Sequence, residues 1–301
     1  MKTSPEIRPL EARFGAEVVG MDFAAELDAA TFAAIVEALH ANRVLLFRGE
    51  PRRDEGLVAF ARRFGPLVTL YEHGTTVPGF PEIVRVSNVE EDGKPIGLAG
   101  AQELPWHHDH SYLDCPAKES FLEAVAIPSP SPQTSFLDMV AVLSSLPQSL
   151  RKRIAGLRAL HHIDERKDAD PDGKRDFGVT GLTPEYRDST NVLAQQRIAQ
   201  QRALHPLVVR HPDSGLAALY ASPLATHEIA GLSRSASQDL FAELFERAVQ
   251  PEYIYAHSWS VGDLVVWDTI TTLHHREAFD PRSRRLMKQM STQSAGPLVA
   301  C

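Results

Sequence analysis

At 301 residues with 43% hydrophobic content, the chain can bury a substantial core as one large domain or two small ones, and it needs no disulfide or metal staple to do so. Its formal net charge of -8 and pI near 5.9 argue against a nucleic-acid partner, which requires a basic excess on one face; the cluster Arg282-Ser283-Arg284-Arg285 is too short to supply one. Cys115 and Cys301 are too far apart in sequence to suggest a disulfide framework or a thiolate zinc site, and no stretch reads as an apolar leader or a membrane span, so a soluble cytoplasmic protein with no membrane partner is expected.

Residues 6–20 alternate polar and apolar around Gly15 and Gly20, which predicts a hairpin or small sheet. Residues 29–40 carry Phe32, Ile35, Val36 and Leu39 at helical spacing behind Asp28 as a cap. A short buried strand at 43–48 follows, then a second helix at 54–64 with Leu57, Phe60, Ala61 and Phe64 on one face, ended by Gly65-Pro66. After a strand at 83–88, residues 90–102 are rich in glycine and charge. A long loop of this kind beside a candidate site is expected as a substrate lid over residues 88–105, with a plain surface loop as the alternative.

The apolar run 120–127 predicts a strand, 128–132 a rigid proline turn, and helices are expected from Asp138 to Leu146 and after Pro147. Residues 162–203 are polar and aperiodic, as an insertion between core strands would be. β signals return at 207–211 and 217–220, and a helix at 235–249 is capped by Ser233 or Ser235. A hairpin is expected from 253–259 and 264–268 around Val261-Gly262-Asp263, and a last strand at 284–291. With no repeat and no compositional break, the reading is one domain over 1–301, mainly β with flanking helices (α+β), built as a double-sheet jelly roll.

The chemistry centres on Trp106-His107-His108-Asp109-His110. Neutral imidazole with carboxylate suits a redox-active divalent metal with open coordination positions. On an extended chain His107 and Asp109 share one face, opposite His108 and His110, and supply two cis ligands of a facial triad. The third comes from a distant strand end, and the His274-His275 pair after the Leu264-Val265-Val266-Trp267-Asp268 run offers it; the residues alone leave both histidines open. Downstream, Arg285, Met287 and Gln289 share a strand face, and a buried guanidinium there calls for an anion.

Trp106-His107-x-Asp109, Thr134, Trp267-Asp268 followed after five residues by His274, and Arg285 eleven positions beyond His274 together resemble the TauD/TfdA family of Fe(II)- and 2-oxoglutarate-dependent dioxygenases. The similarity extends through residues 15–22, 43–48, 63–65, 205–206, 229–233 and 251–252, so it covers nearly the whole chain. It implies a double-stranded β-helix of cupin-like form, with iron on His107, Asp109 and His274 and the distal carboxylate of 2-oxoglutarate on Arg285 and Thr134. It further implies that O2 drives oxidative decarboxylation to succinate and carbon dioxide with oxidation of a bound small molecule. Hydroxylation is favoured over halogenation because Asp109 is retained; desaturation and epoxidation are alternatives. A homo-oligomer, dimer or tetramer, is also implied.

Two features depart from the resemblance. Family members acting on sulfonates carry an arginine four residues past the 2-oxoglutarate arginine, where this chain has Gln289, and a histidine and a tyrosine where it has Leu70 and His73. A neutral amide makes no charge-assisted bond to an anion, so taurine and alkyl sulfates are poor substrate candidates. The diglycine that often precedes the threonine is replaced by Ser131-Pro132-Gln133. Candidate substrate-lining residues are Leu70, Tyr71, His73, Asn88, His110, Tyr112 and Gln289, while His108, His161, His162 and His275 are expected in supporting or surface positions. Readings of other classes are a jelly-roll binding protein and a zinc hydrolase; the second gives no reason for Arg285 and Thr134.

Overall fold

The computed structural model describes residues 5–23, 27–71, 74–163 and 201–301, so His73 and residues 164–200 of the expected insertion lie outside the described residues. Its frame is an eight-stranded sheet in the order Glu6–Pro9, Ala16–Val19, Val44–Phe47, Leu264–Asp268, Ala117–Ala126, Leu286–Gln293, Phe80–Ser87, Thr76–Val77. A four-stranded sheet faces it, in the order Ile254–His257, Thr134–Asp138, Thr272–Arg276, Leu104–His107.

Side-chain alternation distributes the strands' apolar residues over three cores. Val44, Leu46, Leu122, Ala124, Val265, Trp267 and Met287 turn inward and meet Phe136 of the smaller sheet. Their neighbours Leu45, Phe47, Phe121, Leu264 and Val266 turn outward and are covered by Ile35 and Leu39 of the Ala29–Asn42 helix and by Leu57, Phe60 and Ala61 of the Asp54–Arg62 helix. Both faces of these strands are buried, which is why they read as continuous apolar runs rather than as alternation. On the far side, Leu137 and Leu273 pack under the helices Met139–Ser145, Gln148–Ile154 and Arg234–Ala248. The result is the jelly roll with flanking helices expected from the pattern.

Helix starts follow the expected chemistry. Asp28 accepts the Thr31 N–H at 2.8 Å, Asp138 accepts those of Val140 and Ala141 at 3.0 Å, and of the two serines Ser233 is the cap, accepting the Ala236 N–H at 3.2 Å. The expected hairpin over 253–268 is not formed: Ile254–His257 lies in the smaller sheet and Leu264–Asp268 in the larger, so the chain crosses between sheets here. Each strand takes its partners in its own sheet: Ile254–His257 pairs with Thr134–Asp138, and Leu264–Asp268 lies between Val44–Phe47 and Ala117–Ala126. Asp263 Oδ2 accepts the Ser260 N–H at 2.9 Å and lies 3.2 Å from His257 Nε2, while a Cβ on Gly262, whose φ is +86°, would sit 1.8 Å from the Gly49 carbonyl oxygen.

Residues 88–105 contain a small hairpin, Glu90–Glu91 with Lys94–Pro95, and then run beside the Phe80–Ser87 strand, where Ser87 N–H donates to Leu98 O and Leu98 N–H to Arg85 O. Gly97 permits that approach, since a Cβ would lie 2.5 Å from the Arg85 carbonyl oxygen.

Candidate functional site

The site lies between the two sheets. The Thr134–Asp138 strand sets Phe136 opposite His274, and His274 pairs in turn opposite His107 at the end of Leu104–His107. That strand stops at His107, so the expected alternation through Asp109 does not hold: Asp109 and His110 lie in a turn, and His110 takes a left-handed φ of +51°. Asp109 nonetheless reaches the two histidines, because the turn is fastened to residue 269. Asp109 N–H donates to Thr269 Oγ1 at 3.0 Å and the His108 ring Nδ1 lies 2.7 Å from the Thr269 carbonyl oxygen.

Asp109 Oδ1 is 3.8 Å from both His107 Nε2 and His274 Nε2, and the three ligand atoms lie within 4.8 Å of one another. His107 Nδ1 lies 2.7 Å from the Pro105 carbonyl oxygen, a contact that places the proton on Nδ1 and leaves Nε2 as a free lone pair. The His274 ring is held by packing, with centroids 3.9 Å from His107 and 4.8 Å from Trp267, and its Nδ1 is buried without a hydrogen-bond partner. Burial, then the neighbouring His107, pushes the His274 imidazole down to about 3, so it is neutral at any physiological pH, as a metal ligand must be. For Asp109, burial alone would raise the carboxyl, but His274, His107, His110 and the Ser120 hydroxyl outweigh it and hold the group below its ordinary range.

The other oxygen of Asp109, Oδ2, accepts the Ser120 hydroxyl at 2.6 Å and the Gln289 side-chain amide at 3.1 Å. Neither contact follows from motif spacing. Strand alternation carries the signal for Ser120, which shares the inward face of Leu122 and Ala124. Thr269 belongs to a turn set by Asp268, whose Oδ1 accepts the N–H groups of Ile270 and Thr271 at 3.0 and 3.1 Å and whose Oδ2 is 3.3 Å from His211 Nε2. The tryptophan–aspartate motif thus positions the turn that holds Asp109.

Arg285 is 1% exposed, and among the described residues it has no carboxylate partner; its Nε is buried without a hydrogen bond. Burial, then the nearby Arg276, pushes its guanidinium down to about 9, still cationic at neutral pH. Asn88 lies with this arginine: its amide nitrogen donates to the Pro281 and Ser283 carbonyls at 2.9 and 2.8 Å, and its oxygen accepts the Arg285 N–H at 2.9 Å. The amide nitrogen and oxygen of Asn88 are thereby engaged in shaping the 281–285 turn. Thr134 is 1% exposed and its hydroxyl oxygen accepts the Trp259 indole N–H at 2.9 Å, which leaves the hydroxyl proton available to an acceptor.

Around the mouth, Tyr71 and Tyr112 flank His110 with ring centroids at 5.9 Å each, the Tyr112 hydroxyl lies 3.0 Å from His110 Nδ1, and Leu70 is 39% exposed. His108, His161 and His162 are buried, the first stacked at 4.1 Å on Tyr220, and His275 pairs with Glu103 at 2.6 Å. A second group, His40, His211 and Asp213, also brings ligand atoms within 4.8 Å. In that group His211 Nδ1 accepts the N–H groups of Asp213 and Ser214 at 3.2 and 3.0 Å and Asp213 pairs with Lys118 at 2.5 Å, while His40 Nε2 is buried without a hydrogen-bond partner.

The arrangement agrees with what comparison with known proteins finds. The family model described as taurine catabolism dioxygenase TauD, TfdA family, matches residues 6–291. The chain is 35% identical over 288 residues to pentalenolactone F synthase of Streptomyces avermitilis, covering 92% of this chain and 90% of that one. It is 33% identical over 294 residues to the alpha-ketoglutarate-dependent 2,4-dichlorophenoxyacetate dioxygenase of Cupriavidus pinatubonensis, covering 94% and 96%. Among solved structures, AAD-2 in complex with Mn(II) and N-oxalylglycine superposes with a TM-score of 0.75 at 27% identity, covering 99% of this chain and 100% of that one. A taurine dioxygenase from Burkholderia xenovorans gives a TM-score of 0.77 at 27% identity, covering 98% and 91%.

Proposed function

Because the chain belongs to the TauD/TfdA family of 2-oxoglutarate-dependent dioxygenases, we propose that its iron is held by His107 Nε2, Asp109 Oδ1 and His274 Nε2, and that Arg285 and Thr134 receive the distal carboxylate of 2-oxoglutarate. The enzyme is an Fe(II)-, 2-oxoglutarate- and O2-dependent oxidoreductase acting on a small molecule. One observation carries the residue assignment: two imidazoles, His274 buried and His107 partly so, share a jelly-roll interior with the buried Asp109 carboxylate and with a buried guanidinium that has no carboxylate partner among the described residues. The donor set suits Fe(II), and the uncompensated guanidinium suits a dicarboxylate, since a buried arginine is costly until an anion meets it. N-oxalylglycine, bound by AAD-2, has the same pair of carboxylates as 2-oxoglutarate.

When bound, iron and cosubstrate supply oxidative decarboxylation to succinate and carbon dioxide together with the oxidant that removes hydrogen from the substrate. The chain's own groups do the positioning. His107 presents Nε2 because Nδ1 is turned to Pro105, Asp109 presents Oδ1 because Oδ2 is occupied, and Asn88 holds the backbone at Arg285. Three protein ligands would leave the metal open coordination positions for the cosubstrate and O2.

For the substrate, the reading is hydroxylation of a small organic molecule bound against Leu70, Tyr71, His110 and Tyr112. Gln289 offers an amide where a sulfonate or sulfate would need a cation, which favours a carbon skeleton held by apolar and aromatic contact. The names of the relatives at 35% and 33% identity point to a lactone-pathway product and an aryloxyacetate. A cytoplasmic setting is supported by the unpaired state of Cys115 and Cys301. The test is Fe(II)-dependent release of succinate from 2-oxoglutarate in the presence of candidate substrates. It is expected to be abolished by His107→Ala and Asp109→Ala; turnover that persists in either variant would overturn the ligand assignment.

A further inference from the structure

The hydrogen bonds to Asp109 divide its two oxygens. Oδ1 faces His107 Nε2 and His274 Nε2 at 3.8 Å each, while Oδ2 is taken by Ser120 Oγ at 2.6 Å and Gln289 Nε2 at 3.1 Å. The donors come from adjacent strands in register: Ser291 lies opposite Ser120 with hydroxyl oxygens 3.0 Å apart, and Gln289 lies opposite Leu122. Ser120, Gln289 and Ser291 therefore form one polar row on the floor of the site, and the row ends on the oxygen of Asp109 that points away from the two histidines.

We propose that Gln289 is a positioning residue for Asp109: with Ser120 it clamps Oδ2 so that the carboxylate offers a single oxygen to the metal, an inference that rests on the assignment of Asp109 as a ligand. The chemistry gives the clamp a purpose. A carboxylate free to pivot presents both oxygens, and a second bound oxygen fills one of the open positions that the cosubstrate and O2 require. An amide suits the task because it donates to the carboxylate without neutralising it, whereas a guanidinium would compete with the metal for Asp109's charge and a carboxylate would repel it. The same choice sets the character of the pocket. With its N–H directed at Asp109, Gln289 presents a neutral dipole at the substrate face, so one side chain serves both the ligand and the selection against anionic groups.

The test uses Mn(II) as the probe on the full-length metal-free protein without cosubstrate, following free Mn(II) by electron paramagnetic resonance. Gln289→Leu is expected to weaken Mn(II) binding by about 10- to 100-fold, the range typical for removing a hydrogen bond to a metal ligand. Ser120→Ala should change it in the same direction as Gln289→Leu. The spectrum of the bound ion should also change in Gln289→Leu, a readout that general loosening of the fold would not move while the unfolding midpoint of the metal-free protein stays at the wild-type value. Wild-type Mn(II) affinity in folded Gln289→Leu and Ser120→Ala would overturn the proposal. If His107→Ala and Asp109→Ala also kept wild-type affinity, the ligand assignment itself would be at fault; loss in those two alone would confine the failure to Gln289.

Discussion

Glu119 offers a quantitative check on how the larger sheet holds the site. It is 3% exposed, one residue from Ser120 on the strand that braces Asp109, and burial pushes its carboxyl from 4.5 up to about 7, against the pull of Lys118 and the Thr292 hydroxyl. Lys118 relieves it only in part: its ammonium is 3.2 Å from Glu119 but 2.5 Å from Asp213. Since the folded-state value lies above the unfolded one, folding favours the protonated acid. The group costs nothing below about pH 4.5, and its cost grows as the pH rises toward 7 and stays at its full value above that. A shift of that size is worth at most roughly 3 kcal/mol. Glu119→Gln keeps the shape and removes the titration, so its stability relative to wild type should rise between pH 5 and pH 8 by about 1–3 kcal/mol. Urea denaturation of the metal-free wild type and variant at both pH values measures this, because titrations common to the two proteins cancel. A difference that stays flat or falls across that interval would refute the reasoning.

Thr269→Val preserves volume but leaves the buried Asp109 N–H without its acceptor, so it should destabilise the metal-free protein by about 1–3 kcal/mol in chemical denaturation, with Thr269→Ser close to wild type. Gly262→Ala, where the added Cβ would lie 1.8 Å from the Gly49 oxygen, should cost more than about 2 kcal/mol by the same measurement; a neutral result would contradict the crowded sheet-to-sheet crossing. Arg285→Met should raise the KM for 2-oxoglutarate in succinate release by about two orders of magnitude, and Thr134→Val by about tenfold, as expected for losing a charge-assisted and a neutral hydrogen bond respectively.

Where the fold was legible, a local rule governed each element. Asp28, Asp138 and Ser233 stand where caps belong, and the Val44–Phe47 and Leu264–Asp268 strands read as fully apolar because helices cover one face and the second sheet the other. The hairpin over 253–268 was misread because two strands joined by a glycine turn look alike in sequence whether they pair or part. What separates them is the pairing of Leu264–Asp268 with Val44–Phe47, more than two hundred residues away in the chain. The site divides the same way. His107, Asp109, His274 and Arg285 were singled out through the resemblance, and the structure brings the first three together, yet a turn secured by Thr269, not the strand expected for Asp109, delivers it. Asn88 and Gln289 looked alike as polar residues beside a pocket; only their partners show that one shapes the Arg285 turn and the other grips Asp109. Ser120 carries only the inward alternation that it shares with Leu122 and Ala124, and Thr269 carries no motif; neither pattern names Asp109 as the partner.

The assignment of iron to His107, Asp109 and His274 with the cosubstrate on Arg285 meets its most direct test in an anaerobic titration of the metal-free protein with Fe(II) and 2-oxoglutarate, followed by visible absorption. The wild type should develop the weak metal-to-ligand charge-transfer band of an iron-chelated 2-oxo acid, and His274→Ala and Arg285→Ala should both lack it at the same concentrations. No band in the wild type, or an undiminished band in His274→Ala, would contradict the assignment.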